Sequence, residues 1–546
     1  MSQLTMFFRK ILSLKYAGLL ILIACVMAKS VLIRYYSYIG RDKMYHLSAS
    51  YNLLHGKGWT NSVYYTNDLQ REVNEQFCLW PPGYGLMVAP VEYLLNDDLH
   101  LSSDIIEILC FIAFLLLCRG ILATQGMSRS WINASTILLT FFSHEFIEVS
   151  LGTDLPGLVF MLGYFYAVIL LWRTEKTGAG LRLGSIAALC LFMAGFTRYM
   201  YVPVAIFVSV IMIVLAWWKG NKRSLPGYGL CLVLSAALLA GAALYQGAVC
   251  ADPFYIGTDK KSLFPENLAY WHPAALAAFL NLEVYASFLS RFTGISFLSW
   301  KMIFNWSNLI VYVFIFIAGL RFLPVIKKAT AKGFPVFNVL GFLLSALIIG
   351  ELAVLSLTNS PKYTLNGTPW TFIIEGRYQA FAIVFLQLFF LLQCSKINWK
   401  NIGRSREVVL TGLFILFCLN SIHQFYFSSK VVIGFQQMKS QLTREQDYDF
   451  VESYLRALRA ENPVKNIFIT SSDACYPFMG SVLGAKGIKD YRNAVLVHDK
   501  AAQPSTLLVV VMQPELELYR SFINSPGVQL VKEINGTYIY RQEISR

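Results

Sequence analysis

Residues 15–33, KYAGLLILIACVMAKSVLI, and the polar stretch that follows them, YIGRDKMYHL at 38–47, decide the fold class. A transmembrane helix needs roughly 20 mostly apolar residues, and the first stretch is long enough to cross a bilayer. It is longer than the apolar part of a signal peptide and has no clear cleavage site, which predicts an uncleaved anchor. The chain then leaves the membrane through Arg41, Asp42 and Lys43, of which Arg41 and Lys43 are interpreted as solvated.

The composition predicts a polytopic α-helical membrane protein. The chain is 56% hydrophobic and 14% charged, whereas soluble domains average about 25% charged residues. The net charge of +14 would suit nucleic-acid binding in a soluble protein. In a membrane protein, the distribution of basic residues around short loops instead indicates the orientation, and no nucleic-acid partner is expected. About 11 spans are predicted, near 13–34, 104–124, 132–149, 156–173, 183–197, 200–218, 226–248, 300–321, 335–357, 378–395 and 408–427.

The loop charges predict the orientation. With the N-terminus inside, basic residues outnumber acidic ones in every inner loop, where Glu175 and Glu407 are the only acidic residues. The outer face then receives two long loops, 35–103 and 249–299. Residues 83–95, GYGLMVAPVEYLL, are short for a span and would invert this pattern, so they are expected to lie on or dip into the outer face.

After the last span the sequence changes character. Residues 1–427 are interpreted as a transmembrane domain, and 428–546 as a small extracytoplasmic α/β domain. A helix is expected at DYDFVESYLRALRA and PELELYRSFINS, strands at NIFIT and TLLVVVM, and a hairpin around Asn535-Gly536. Three cysteines face outward in this topology, and a disulfide between Cys78 and Cys250 is one open alternative.

The first outer loop holds a candidate catalytic carboxylate. Met44, Leu47, Tyr51 and Leu54 recur at helical spacing and glycines stop the run, which predicts an amphipathic helix along the membrane surface. Asp42 would lie at its N-terminal end, where the helix dipole favours an anion. On physical grounds an N-cap and a functional base are equally good interpretations of this carboxylate.

The order of features in this loop resembles the GT-C superfamily of membrane glycosyltransferases, which use polyprenyl-phosphate sugars. The features are the anchor, Asp42, the helix ending in LLHGKGW at 53–59, and WPPGY at 80–84. The branch resembling protein mannosyltransferases and the lipid A aminoarabinose transferase is the nearest. The resemblance implies a catalytic role for Asp42 and a second acidic position in the substrate pocket at Asp154, which the loop charges place on the same side.

Such a donor has a phosphate leaving group, which needs positive charge where the glycosidic bond breaks. Three basic residues on the predicted outer side are candidates to bind it: Arg198 and Arg377 at outer ends of spans, and Lys362 in the outer loop 358–377. Arginine suits bidentate phosphate contacts, although arginines at helix ends also snorkel toward headgroups. Aromatic and imidazole side chains nearby are candidates for the substrate pocket, namely Tyr199, Tyr378 and His272.

Metal dependence does not carry over from the resemblance. Several relatives have Asp-Glu where this chain has Asp42-Lys43, and Glu-Lys-Pro-Pro where it has Leu79-Trp80-Pro81-Pro82. A divalent metal is compatible with the sequence but not required by it. Residues that could supply ligands show no recognised spacing: Glu72, Glu75, His46, His55, Glu145, Glu148 and His272.

The resemblance therefore implies an inverting glycosyltransferase in a bacterial inner membrane, with its C-terminal domain in the periplasm. It would move a sugar from a polyprenyl-phosphate carrier to a lipid, glycan or protein acceptor. The main alternative is a lipid or solute transporter or flippase, and a non-catalytic scaffold is a third. Transporters commonly carry internal repeats and ionisable groups near the midplane, and this sequence has no internal repeat.

Overall fold

The computed structural model describes most of the N-terminal half of the chain and separate segments of the C-terminal half. The described residues are 16–36, 41–65, 68–78, 80–142, 153–199, 201–218, 220–250, 363–365, 368–370, 380–397, 405–433, 447–463, 465–471, 475–480, 482–489, 504–534 and 536–544. The predicted spans at 300–321 and 335–357 lie outside these residues, so the predicted number of spans stays a prediction.

Apolar helices form the larger part of the fold. Their bounds are α1 Ala17–Tyr36, α2 Arg41–Leu54, α3 Gly83–Leu94, α4 Leu99–Thr124, α5 Arg129–Phe142, α6 Asp154–Trp172, α7 Thr177–Thr197, α8 Tyr201–Trp218, α9 Leu225–Cys250, α10 Ala380–Cys394 and α11 Ser405–Ile433. Within the described ranges, five are long and apolar enough to cross a membrane: α4, α6, α7, α8 and α9. All five coincide with predicted spans, which confirms the helical membrane fold.

Helix α6 lies at the centre of the bundle, because it is apolar all round and most of its length is buried. The Tyr164 hydroxyl donates to the Ala205 carbonyl oxygen of α8 at 2.9 Å. The Phe165 ring packs edge-on against Phe385 of α10, with centroids 5.1 Å apart. The buried polar group is thus satisfied within the bundle, and aromatic contacts join the N-terminal helices to α10.

The C-terminal part folds as a sheet with short helices, as the sequence predicted. Its elements are α12 Asp447–Glu461, β5 Asn466–Ser471, α13 Cys475–Phe478, β6 Lys486–Ile488, β7 Ser505–Met512, a 3₁₀ helix Gln513–Tyr519, α14 Arg520–Ile523, β8 Val528–Ile534 and β9 Thr537–Ile544. Strand β7 pairs in parallel with β5 and antiparallel with β9. Strands β8 and β9 form the hairpin expected around Asn535-Gly536.

The sheet is completed by strands from the first loop, which the sequence did not predict. Strands β1, Thr60–Tyr65, and β2, Asp68–Gln76, form an antiparallel hairpin. Strand β1 joins β6 in parallel, giving seven strands in the order β2-β1-β6-β5-β7-β9-β8. The Lys489 amide donates to the Tyr64 carbonyl oxygen at 3.1 Å. The first loop and the C-terminal segments therefore share one sheet. Strands β3, Tyr363–Leu365, and β4, Thr368–Trp370, form a separate hairpin.

A shared apolar core holds the first loop against the C-terminal segments. Met44 and Leu47 of α2 and Val88 of α3 are buried in the same cluster as Val451 of α12 and Leu508 of β7. Burial of each such side chain contributes roughly 1.5–3 kcal/mol. The C-terminal segments thus pack directly on the two helices that carry the candidate catalytic region.

Candidate active site

Asp42 lies in the first turn of α2, the helix that the spacing predicted. The described part of the helix begins at Arg41, so Asp42 is its second described residue. Gly56 and Gly58 follow the helix with φ of +73° and +75°, values that favour glycine and end the helical run. Asp42 is therefore placed where the helix dipole stabilises an anion.

Helix α2 is buried on its polar side as well as its apolar side. Ser48, Ser50 and Asn52 are all fully buried, and the Asn52 amide donates to the Thr60 carbonyl oxygen at 2.8 Å. The sequence predicted the helix itself but not the burial of these polar side chains. The helix is packed among α3, β1 and the C-terminal segments, because its small polar side chains find hydrogen-bond partners there.

Asp154 and Arg198 form a buried ion pair. Asp154 is the first residue of α6 and Arg198 follows α7 at the same end of the bundle. Arg198 Nη2 lies 2.5 Å from Asp154 Oδ1, and the two side chains are 10% and 3% exposed. Arg198 Nη1 also donates to Thr153 Oγ1 at 3.3 Å. The common location predicted from loop charges is thus confirmed for these two residues.

The WPPGY segment packs against the same end of α7. A Cβ on Gly83 would lie 2.5 Å from the Phe196 carbonyl oxygen and 2.8 Å from Thr197 Cγ2. A Cβ on Gly85 would lie 2.8 Å from the His46 carbonyl oxygen of α2. These two glycines allow α3 to touch both α2 and the end of α7. Through α3, the helix of Asp42 and the Asp154–Arg198 pair are parts of one packed region.

Lys43 is not solvated, contrary to the expectation from the sequence. Its Nζ lies 2.9 Å from Glu107 Oε1 of α4, with the two side chains 0% and 2% exposed. The Tyr84 hydroxyl of α3 lies 3.4 Å from the same carboxylate oxygen and 3.1 Å from Ser103 Oγ. An internal partner replaces water for this lysine, as burial of a charge requires.

The sequence did not predict this network, although it contains acidic residues that point to one. Asp104 and Glu107 are acidic residues inside a predicted span, where ionisable groups are costly and usually have a partner or a function. The partner Lys43 lies on a different helix, so the sequence alone did not identify it. The phenolic end of Tyr84 is buried beside the same Glu107 carboxylate.

His46 is a buried neutral residue. Its ring lies 5.0 Å from that of Phe77 and 5.7 Å edge-on from that of Tyr84. Burial lowers the pKa of His46 to about 3, because a charged imidazolium is disfavoured away from water. In the described part of the chain neither ring nitrogen has a hydrogen-bond partner. His46 therefore contributes an apolar ring face between α2 and α3.

Other metal-ligand candidates are occupied by ion pairs. Lys57 Nζ lies 2.5 Å from Glu72 Oε1, Lys489 Nζ lies 2.6 Å from Glu75 Oε2, and His55 faces Asp97. Across the described ranges no group of three or more His, Cys, Asp or Glu side chains could hold a metal ion. Glu145, Glu148 and His272 lie outside those ranges.

Of the remaining candidate site residues, the structure describes only Tyr199. Tyr199, next to Arg198, is 46% exposed, so its side chain is accessible beside the ion pair. Arg377, Lys362 and Tyr378 lie outside the described residues, and their roles stay predictions, as does that of His272.

Cys78 and Cys250 form a disulfide, which resolves the alternative left open by the sequence. Their Cα atoms are 5.6 Å apart and 172 residues separate them in the chain. Cys78 immediately precedes the WPPGY region, and Cys250 ends α9 at the start of the second predicted outer loop. The bond therefore ties the first loop to the same end of the bundle as Asp154 and Arg198.

Comparisons with known proteins identify the fold. By sequence, no protein-family model and no curated protein matches the chain. Among the solved structures that match is ArnT from Cupriavidus metallidurans bound to undecaprenyl phosphate, with a TM-score of 0.52 and 9% identity over 97% of this chain and 98% of that one. The apo state of the same protein gives 0.53 and 10% over 96% and 97%. The chain thus has an ArnT-like fold over nearly its whole length.

Proposed function

We propose that this chain is a membrane glycosyltransferase that moves a sugar from a polyprenyl-phosphate carrier to an acceptor at the outer face of the membrane. The observation that carries the proposal is the ArnT-like fold over nearly the whole chain, combined with Asp42 in the first turn of α2. ArnT was crystallised with undecaprenyl phosphate, and we extend a polyprenyl carrier from that protein to this one. A fold alone does not fix an activity, so the residues must carry the chemistry.

The proposed reaction is a direct displacement at the anomeric carbon. The acceptor hydroxyl oxygen attacks that carbon, and its proton passes to the Asp42 carboxylate. The bond between the anomeric carbon and the phosphate oxygen breaks, and its electron pair stays on the phosphate. A single displacement inverts the anomeric configuration. Asp42 is thus the proposed general base.

The departing phosphate needs positive charge that is already in place. Arg198 supplies a guanidinium beside the WPPGY region, with Arg377 and Lys362 as further proposed ligands. The Asp154 carboxylate, 2.5 Å from Arg198 Nη2, would hold that guanidinium in one orientation. Tyr199, Tyr378 and His272 are the proposed lining of the sugar and acceptor pocket.

The disulfide supports an outward location for this region. Disulfides persist in oxidising compartments such as the periplasm and are rare in the cytosol. Cys78–Cys250 lies at the end of the bundle that carries Arg198. This agrees with the proposed orientation in a bacterial inner membrane, with the N-terminus cytoplasmic and the C-terminal sheet periplasmic.

A donor panel tests the proposed function. The purified protein is incubated with polyprenyl-phosphate sugars and candidate acceptor lipids, and released polyprenyl phosphate is measured. Release that depends on both donor and acceptor, with an inverted product, is expected. The transporter alternative predicts no release but movement of a labelled lipid across proteoliposomes. No turnover with any donor, together with such movement, would contradict the proposal.

A further inference from the structure

A charged contact fixes α2 to α4 one residue away from Asp42. The contact joins Lys43 Nζ and Glu107 Oε1 at 2.9 Å, and neither side chain is more than 2% exposed. The hydroxyl of Tyr84, on α3, lies 3.4 Å from the same oxygen. Three helices thus meet at one carboxylate next to the start of α2.

Stability alone gives little reason for an ion pair at this place. Removing two charges from water costs several kcal/mol per ion, and well-packed apolar residues of similar volume often stabilise as much or more. The surroundings would accept such a replacement, because Met44 and Ile106 beside the pair are buried in a shared apolar core. An ion pair instead imposes a specific geometry, since it is lost when its partners move apart.

We propose that Lys43 and Glu107 are positioning residues that set the register of α2 for catalysis by Asp42. The inference rests on the proposed function and deepens it. Anchoring the Lys43 side chain to α4 fixes both the rotation of α2 about its axis and its translation along α4. Those two quantities determine where the backbone of Asp42 lies. A misplacement of about 1 Å in a catalytic site can reduce the rate about 100-fold.

Two double variants separate positioning from folding. Lys43→Met with Glu107→Leu replaces the pair by apolar residues, and Lys43→Glu with Glu107→Lys exchanges the charges. Polyprenyl-phosphate release is measured at saturating and subsaturating donor, and thermal unfolding reports stability. A matched control is the pair His100–Glu452, at 3.1 Å between α4 and α12, replaced by His100→Gln with Glu452→Gln.

The apolar variant is expected to unfold at the wild-type temperature but to lose about 10- to 100-fold in kcat, with KM for the donor changed less than about threefold. The variant with exchanged charges is expected to recover at least half of the loss in log kcat. The control variant is expected to keep the wild-type kcat. Wild-type kcat in the apolar variant, or no recovery on exchange, would overturn the inference. If the apolar variant does not fold, Glu107→Gln takes its place with the same expected kcat and KM, and with a lower unfolding temperature because Lys43 loses its charged partner.

A parallel measurement of Asp42→Asn separates this inference from the proposed function. If Asp42→Asn abolishes transfer while the apolar variant retains it, only the positioning role is wrong. If Asp42→Asn transfers sugar at the wild-type rate, the catalytic role of Asp42 and the positioning role are both wrong.

Discussion

The buried pair between Asp154 and Arg198 gives a quantitative prediction for the variant Asp154→Asn. The side chains are 3% and 10% exposed, and their charged atoms lie 2.5 Å apart. Removing one partner of such a pair leaves a charge without compensation and costs roughly 3–5 kcal/mol. Asparagine keeps the shape of aspartate, so the loss is electrostatic rather than a cavity effect.

This cost converts into a shift of melting temperature. Unfolding entropy is about 2.1 cal/mol/K per residue near 60 °C, which for 546 residues is about 1.1 kcal/mol/K, so Tm should fall by at least about 3 °C. Incomplete unfolding of the membrane helices would reduce that entropy and enlarge the shift. The assay is thermal unfolding of purified protein in detergent, followed by intrinsic fluorescence.

An exposed pair provides the matched control. Arg520 and Glu517 are 72% and 80% exposed with a separation of 3.5 Å, and exposed pairs contribute roughly 0–1 kcal/mol. Glu517→Gln should therefore leave Tm within about 1 °C of wild type. The double variant Asp154→Leu with Arg198→Met should recover most of the stability lost in Asp154→Asn. Equal melting temperatures for Asp154→Asn and Glu517→Gln would refute the reasoning.

Three further predictions concern stability. Burial raises the pKa of Glu92 from 4.5 to about 7, so the folded protein loses stability as pH rises from 4.5 to 7 and this carboxyl ionises. Glu92→Gln should therefore leave the stability unchanged at pH 4 and increase it by roughly 3 kcal/mol at pH 8, as measured by thermal unfolding at the two pH values. Cys78→Ser removes the link to Cys250 across 172 residues and should cost at most about 5 kcal/mol, while a reductant should lower the Tm of the wild type only. Gly83→Ala, whose added Cβ meets the Phe196 carbonyl oxygen, should cost roughly 1–3 kcal/mol. Gly229→Ala should not destabilise, because apart from its own helix no heavy atom lies within 4 Å of the added Cβ.

The helical part of the fold could be predicted because it depends on local properties. Length and hydropathy identify each of the five long apolar helices, and loop charge indicates which ends share a side. Loop charge is why Asp154 and Arg198 could be expected on the same side of the membrane. The length of residues 83–95 also sufficed to separate this segment from the spans, and the structure has a helix of 12 residues there.

The remainder depends on partners distant in the chain. Lys43 looked solvated because its partner Glu107 lies on another helix. The hairpin of β1 and β2 escaped prediction because β2 is largely polar and has no clean alternation. The partners that stabilise this hairpin lie in the C-terminal segments. One of them is Lys489, which forms an ion pair with Glu75 across 414 residues of sequence. Pairings at that separation leave no periodic signal in one sequence.

The measurement that tests the central claim most directly is single-turnover release of polyprenyl phosphate by wild-type protein and by Asp42→Asn. Both are saturated with the polyprenyl-phosphate sugar that the donor panel identifies, with acceptor present. Loss of a general base typically costs 10²–10⁴-fold, so we expect a rate reduced by at least about 100-fold with unchanged melting temperature and donor binding. Release by a correctly folded Asp42→Asn protein at the wild-type rate would contradict the account.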